Sequence, residues 1–254
     1  LNSKQIEALQ SVIKPEVALG VVGKFSHRNP AQEQQLGQML SAWHRGPISY
    51  GHRLSGQANF LRRIVTTYLN ASVAPQQHEF ALMWKRLQKQ LGVTIGEILV
   101  LKADGGTMTL ADSQDRPIET ILSGPAASIM GVRALAECQE ENFVIVDIGG
   151  TTTDLAVVVE GQVLFERSGA TILGYKTLVP ALLTRSIGLG GDSALHFCTE
   201  EQKVIIGPQR AGLPVCRGGA RLTPTDAAVA LGLATIGDKT RALAQWQRWA
   251  KELG

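Results

Sequence analysis

Two hydrophobic periods alternate along the chain and divide it into helices and strands. Ile6, Leu9, Val12 and Ile13 share one helical face behind Asn2 or Ser3 as a cap, and Pro15 ends that run. Val17 to Val22 reads as a buried strand. Asn29 as N-cap with Pro30 in the first helical position then opens a helix carrying Leu36, Met39, Leu40 and Trp43. Ile48 to Leu54 reads as extended. A helix over Gln57–Asn70 turns Phe60, Leu61, Ile64, Val65 and Leu69 inward, with Arg62 and Arg63 beside that face. Pro75 opens a further helix whose stripe is Phe80, Met83, Trp84, Leu87 and Leu91, a core-packing stripe rather than a cofactor box. Ile98 to Leu101 follows as a buried strand, and a small-residue helix capped by Ser123 runs to about Ala136. Later come strands over Gln162–Arg167 and Val204–Ile206, the latter closed by a Gly207-Pro208 turn. A helix from Thr223-Pro224-Thr225-Asp226 reaches Leu231, and a last helix over Asp238–Leu253 places Leu243, Trp246 and Trp249 on one side. Strand, loop and helix in this order describe a layered α/β protein.

The pattern changes character at Phe143-Val144-Ile145-Val146. This uninterrupted, β-branched run suits a strand buried on both faces. Asp147 ends it, Gly149 and Gly150 follow, then Thr151, Thr152, Thr153 and Asp154, and a second β-rich run leaves. The result is a hairpin with a glycine-threonine turn. Adjacent glycines let backbone N–H groups approach an oxyanion, and hydroxyls add donors around the same concavity. Carboxylates do not bind phosphate directly, but Asp147 and Asp154 suit a hydrated Mg²⁺ that does. A second cluster, Gly188-Leu189-Gly190-Gly191-Asp192-Ser193, is expected to form the opposite lip of one phosphate-bearing site.

Three further places suit a site wall. Asp104-Gly105-Gly106 leaves the end of a strand, where ligands sit in open α/β sheets, although the same residues also make an ordinary turn. Ser123 and Gly124 open a helix with small residues, which allows close approach either of a ligand or of a neighbouring sheet. His52, beside Gly51 after a strand, has the best site claim of the five histidines, which otherwise lie at no metal-cage spacing.

Composition removes several classes of function. The net charge of +3 is too small to imply nucleic acid, and no basic run is interleaved with aromatics. A 44% hydrophobic content supports a sizeable core. No run has transmembrane length and no signal peptide opens the chain, so a cytoplasmic protein without a membrane partner is expected. Cys138, Cys198 and Cys216, odd in number and widely spaced, read as reduced thiols. Leu1 in place of methionine suggests a piece of a longer chain.

These motifs resemble the hydantoinase/oxoprolinase family, whose ATP-binding subunits belong to the actin-like ATPase superfamily. The matching stretches are Asp104 to Gly106, Glu119 to Ala127, Asp147 to Asp154, Gly188 to Ser193, Ile206 to Pro208 and Leu222 to Ala227, in family order. The version here resembles the shorter branch, with Gly190-Gly191-Asp192-Ser193 where the longer hydantoinases carry a third glycine.

The resemblance implies an α/β, ribonuclease-H-like/actin-like fold of mixed sheets flanked by helices, built as two halves around a nucleotide cleft. An α/β portion would span residues 1–122, and residues 123–254 would carry the second phosphate hairpin. The first hairpin has no counterpart in this chain, which marks a fragment. The implied cofactors are ATP and Mg²⁺, with Asp147 and Asp154 as catalytic and metal-positioning residues. Gly149 to Thr153 and Gly190 to Ser193 would bind the nucleotide. The implied substrate is a cyclic amide or related carbonyl compound, activated by phosphoryl transfer in an ATP-dependent amidohydrolase. Oligomer formation and a second subunit are expected, and this chain alone would be inactive. Alternatives are a non-catalytic nucleotide-binding assembly subunit and a kinase of the same superfamily.

Overall fold

The computed structural model describes residues 3–92, 98–135 and 141–253. The Asn2 cap, the helix end at Ala136 and Cys138 lie outside them. In chain order the helices are α1 (Ser3–Val12), α2 (Ala31–Ser41), α3 (Gly51–Leu54), α4 (Phe60–Leu91), α5 (Leu110–Asp115), α6 (Ser123–Leu135), α7 (Pro224–Ala230) and α8 (Lys239–Leu253). The strands are β1 (Leu19–Val21), β2 (Ile48–Tyr50), β3 (Leu99–Leu101), β4 (Thr107–Thr109), β5 (Phe143–Ile148), β6 (Thr153–Val159), β7 (Gln162–Val163), β8 (Thr171–Ile172), β9 (Tyr175–Lys176), β10 (Thr184–Ile187), β11 (Ser193–Cys198) and β12 (Lys203–Arg210). The chain forms two compact units: Leu1–Cys138 with Val163–Leu183, and Gln139–Gln162 with Thr184–Gly254.

The first unit is organised by α4. Asn59 caps it by accepting from the Arg62 amide at 3.1 Å. The helix runs unbroken for 32 residues, so Pro75 lies inside it and starts no new one. A proline there removes one backbone hydrogen bond, and small buried residues on either side, Ala71, Ala74 and Ala81, let the helix keep packing.

The helix is also turned from the expected orientation. Its buried face is Arg63, Thr66, Thr67, Asn70, Ala71 and Ala74, whereas Leu61 is 73% exposed and Ile64 39%. Polar side chains win that face because each has a partner. Thr66 Oγ1 accepts from the Leu178 amide at 2.9 Å. Asn70 Nδ2 donates to Ser49 Oγ and to the Asp115 carbonyl, while its Oδ1 accepts from the Ile118 amide. Downstream, Phe80, Met83, Leu87 and Leu91 are exposed, so the stripe expected to pack a core does not. The core gathers instead around Leu69, Ala103, Ile118, Ile172, Val179 and Ala181.

Several local expectations shift for equally local reasons. β1 and β2 form a parallel pair, Leu19↔Ile48 to Val21↔Tyr50. After Tyr50 the chain turns helical at α3, so only the start of Ile48–Leu54 is extended. The α2 boundary moves by one residue: Pro30 takes the cap position, and Asn29 Oδ1 accepts from the Ala31 amide. β3 belongs to a two-stranded hairpin with β4, which leaves Leu99 59% exposed rather than buried. Ser123 is the first residue of α6 rather than its cap.

In the second unit, β10, β6 and β5 form an antiparallel sheet in that order. Ile145, Ala156 and Val158 line its buried face, while Val144, Val146 and Ile148 are exposed on the other. The run is therefore covered on one side only. β12 continues through Gly207 and Pro208, where a turn was expected, and its register against β11 shifts between Ser193 and Leu195. Thr223 caps α7 in a reciprocal box with Asp226, and Cys216, Val229 and Ala242 form a small core beneath α7 and α8.

Candidate functional site

The hairpin of β5 and β6 closes with Asp147 opposite Asp154 and Ile148 opposite Thr153. The Gly149 amide donates to the Thr152 carbonyl at 2.9 Å, which pins the turn. The amides of Gly150, Thr151 and Thr152, and the hydroxyls of Thr151 and Thr152, donate to no acceptor among the described residues. Gly150 and Thr151 are exposed and Thr152 half-buried. Donors converging on open solvent at a tight turn are the elements of an anion-binding nest.

The two acids stand side by side because directly opposed residues on antiparallel strands point to one face. Both are half-buried. Asp154 Oδ1 accepts from the Ser186 hydroxyl at 2.5 Å, and the Asp147 carboxylate has no donor among the described residues. Like charges directly opposite each other are unfavourable on a sheet, and a cation between them reverses that sign. Among the described residues no group of three His, Cys, Asp or Glu side chains is placed to hold a metal directly. The pair fits a hydrated cation better than a stripped one.

The second glycine cluster is brought to the first, as a strap bonded to the turn. The Gly191 amide donates to the Gly149 carbonyl at 2.9 Å, and the Asp192 amide to the Gly150 carbonyl at 2.7 Å. The Gly190 amide is taken by Ser193 Oγ at 2.9 Å, and Thr153 Oγ1 donates to the Leu189 carbonyl at 2.7 Å. Thr153, Gly190, Gly191 and Ser193 thus spend their polar atoms on holding the turn. A Cβ on Gly190 would lie 2.6 Å from the Gly149 and Gly150 carbonyl oxygens, so only glycine lets the strap approach this closely. Thr225 Oγ1 and the Thr225 amide both donate to the Gly191 carbonyl, tying α7 to the strap.

Asp192 is the acid of the strap and is half-buried. Its Oδ2 accepts from Arg210 at 2.8 Å, and it lines a cleft of about 450 Å³ with Arg210, Arg217 and Thr225. Sequence reasoning missed Arg210 and Ser186, because neither lies at a motif spacing. Only the pairing of β10 with β6 brings Ser186 to Asp154, and only that of β11 with β12 brings Arg210 to Asp192.

The remaining expected wall residues belong to the first unit. Asp104, Gly105 and Gly106 form the turn between β3 and β4. There Asp104 Oδ1 accepts from the Gly106 amide, and Asp104 Oδ2 pairs with Lys102 Nζ at 2.9 Å. Gly105 has φ +81°, which a side chain rarely adopts. The turn's polar atoms are therefore used locally. Gly124 sits in the first turn of α6 with open space where a Cβ would be, so close packing does not require glycine there. His52 is bonded to a buried acid, described further below.

The mixed α/β chain with its glycine-threonine hairpin has the actin-like ATPase fold. An acetone carboxylase structure, titled for ATP-dependent acetone carboxylation and free of nucleotide, matches 95% of this chain with a TM-score of 0.72 at 20% identity. The chain belongs to the hydantoinase/oxoprolinase family, whose model matches residues 63–237. It is 29% identical over 222 residues to the caprolactamase subunit alpha of Pseudomonas jessenii, covering 85% of this chain and 32% of that one. It is 30% identical over 222 residues to the acetophenone carboxylase gamma subunit of Aromatoleum aromaticum, covering 82% and 30%. The chain thus spans about a third of the length of these relatives. No described helix is long and apolar enough to cross a membrane.

Proposed function

We propose that this chain supplies one phosphate-binding hairpin of an ATP-dependent enzyme that activates a cyclic amide or related carbonyl compound. The observation that carries it is the turn at Gly150, Thr151 and Thr152, whose amides and hydroxyls have no acceptor among the described residues, beside a cross-strand pair of acids. Those donors hold β- and γ-phosphate oxygens in place, and Asp147 with Asp154 positions Mg²⁺ through water. When bound, ATP supplies a phosphoryl group that converts a carbonyl oxygen into a better leaving group. The residues here orient and neutralise charge, and positioning with charge stabilisation accounts for most of such catalysis. The matching relatives are named as subunits, which supports a second subunit as partner. Action in the full-length assembly, in the cytoplasm, is part of the same proposal.

Asp147→Asn tests the reading because it preserves shape and removes charge. In the full-length protein it should weaken Mg²⁺-dependent ATP binding or turnover at least about tenfold, equivalent to about 1.4 kcal/mol. Calorimetry and phosphate release matching wild type would exclude the assigned role. ATP turnover that persists without any amide or carbonyl substrate, with no product from a panel of lactams, hydantoins and ketones, favours a nucleotide-driven assembly subunit instead.

The 254 residues contain one D-x-G-G-T-x-T-D stretch, Asp147 to Asp154. With water screening its charges on an open side, ATP should bind no tighter than about millimolar, near −4 kcal/mol, and hydrolysis should not exceed that of buffer. Thermal shift with Mg²⁺-ATP and phosphate release check both halves. Turnover abolished by Asp147→Asn would show the clamp to be complete in this chain.

A further inference from the structure

The first unit holds a second cluster of ionisable groups that the phosphate hairpin does not use. Glu33, on α2, is 2% exposed, and among the described residues His52 is its one ion-pair partner. Its Oε1 accepts from the Gly23 amide at 2.6 Å. Its Oε2 accepts from the His52 amide at 3.0 Å and meets His52 Nδ1 at 2.6 Å. Burial pushes the Glu33 carboxyl up, but bonds from the Ser26 hydroxyl, the Gly23 amide and His52 outweigh it and hold it below its ordinary value. An ionised carboxylate only accepts, so Nδ1 of His52 carries the proton in that bond.

The consequence falls on the other ring nitrogen. His52 Nε2 makes no hydrogen bond among the described residues and is not among the buried unpaired atoms, in contrast to His44, both of whose ring nitrogens are buried without partners. His52 lines an open cleft of about 610 Å³ with Gln34, Gln38, Ser41, Tyr50 and Arg53. Arg53 lies over the Tyr50 ring at 5.3 Å and pairs only loosely, at 3.3 Å, with the exposed Asp115. The lining has one cation, Arg53, several neutral polar side chains and no acid; Glu33 is bonded to the imidazole and Asp115 is the exposed partner of Arg53.

We propose that this cleft is an oxyanion site, in which His52 Nε2 and the Arg53 guanidinium grip a carboxylate or phosphate group of a small ligand. The bound oxyanion holds the imidazole doubly protonated, one N–H to Glu33 and one to the ligand. Gln34 and Gln38 complete the donor set from α2. A buried carboxylate that fixes the tautomer and the ring plane is what a histidine needs to present Nε2 in one direction.

Diethyl pyrocarbonate acylation of each histidine, followed by mass spectrometry of the full-length protein, tests this. Inorganic phosphate and acetate serve as probes at 20 mM and constant ionic strength. Either should slow modification of His52 at least about threefold and leave His196 unchanged. Protection by phosphate alone assigns a phosphoryl ligand, by acetate alone a carboxylate. Arg53→Gln, an exposed position that folding tolerates, should remove the protection without altering the unprotected rate. No protection by either anion, or protection that survives Arg53→Gln, overturns the proposal.

Discussion

Gly190→Val should destabilise the second unit by at least about 2 kcal/mol and abolish nucleotide binding by the full-length protein. The added Cβ would fall 2.6 Å from two carbonyl oxygens and 2.7 Å from the Gly150 carbonyl carbon. These are backbone atoms, so no rotamer change relieves the contact, and overpacking of this kind costs about 1–3 kcal/mol. The strap must then move off the turn. That stretches the bonds from the Gly191 and Asp192 amides to the Gly149 and Gly150 carbonyls, each worth about 1 kcal/mol net. Gly188→Ala is the control, because its Cβ meets only Pro208 Cβ at an ordinary 3.6 Å. Urea unfolding and ATP titration read the two effects. Wild-type ATP affinity in a stably folded Gly190→Val protein would mean that the strap does not set the turn.

The same geometry changes how a Gly150 variant is to be read. A Cβ there meets Asp192 Oδ2 at 3.1 Å before any ligand is considered. Loss of nucleotide binding in Gly150→Val therefore reports a displaced Asp192 as well as an obstructed phosphate.

The second large effect is expected at Asp226, which is fully buried. Its carboxylate accepts from the amides of Val215 at 3.0 Å, Cys216 at 2.7 Å and Thr223 at 3.0 Å, and from Thr223 Oγ1 at 2.9 Å. Asp226→Ala leaves three buried amides without an acceptor and breaks the cap of α7. At about 1–3 kcal/mol for each orphaned group, partly relieved by water entry, the loss should reach about 4 kcal/mol. That is a large share of a typical domain's stability. Asp226→Asn keeps the shape but turns an NH₂ toward N–H donors, so about 2 kcal/mol should be lost. A chemical-denaturation midpoint unchanged in the alanine variant would show that those amides find other partners.

Glu33 and Arg63 show where sequence patterning stops. Both are nearly or wholly buried, and neither belongs to an apolar stripe. Arg63 donates to the carbonyls of Gln57, Gly23 and Lys24, so its charge is spread over backbone oxygens. Hydrophobic periodicity assigns the inward face of a helix by greasy residues. On α4 it selected Leu61 and Ile64, which are exposed, in place of Arg63, Thr66 and Asn70. Nothing local distinguishes a buried arginine bonded to backbone carbonyls from a solvated one. One partner, Gln57, is six residues away, but the Gly23 and Lys24 carbonyls come from about forty residues upstream and are absent from any local window around position 63.

By itself the sequence determined the family, the α/β alternation, the hairpin at Asp147 to Asp154 and a helix starting at Thr223-Pro224-Thr225-Asp226, while the structure chose Thr223 as its cap. These depend on short-range chemistry: β-branched runs, adjacent glycines, and threonines at a helix start. Tertiary structure decided the rest. It made one helix of two by packing alanines around Pro75, and it covered β5 on one face only. It also turned the second glycine cluster from an expected lip into a strap, because backbone carbonyls of the first turn supply the acceptors that its amides require. Which donors remain open to a ligand is a question of which are already used. That depends on strands paired some forty residues apart, so only the folded chain answers it.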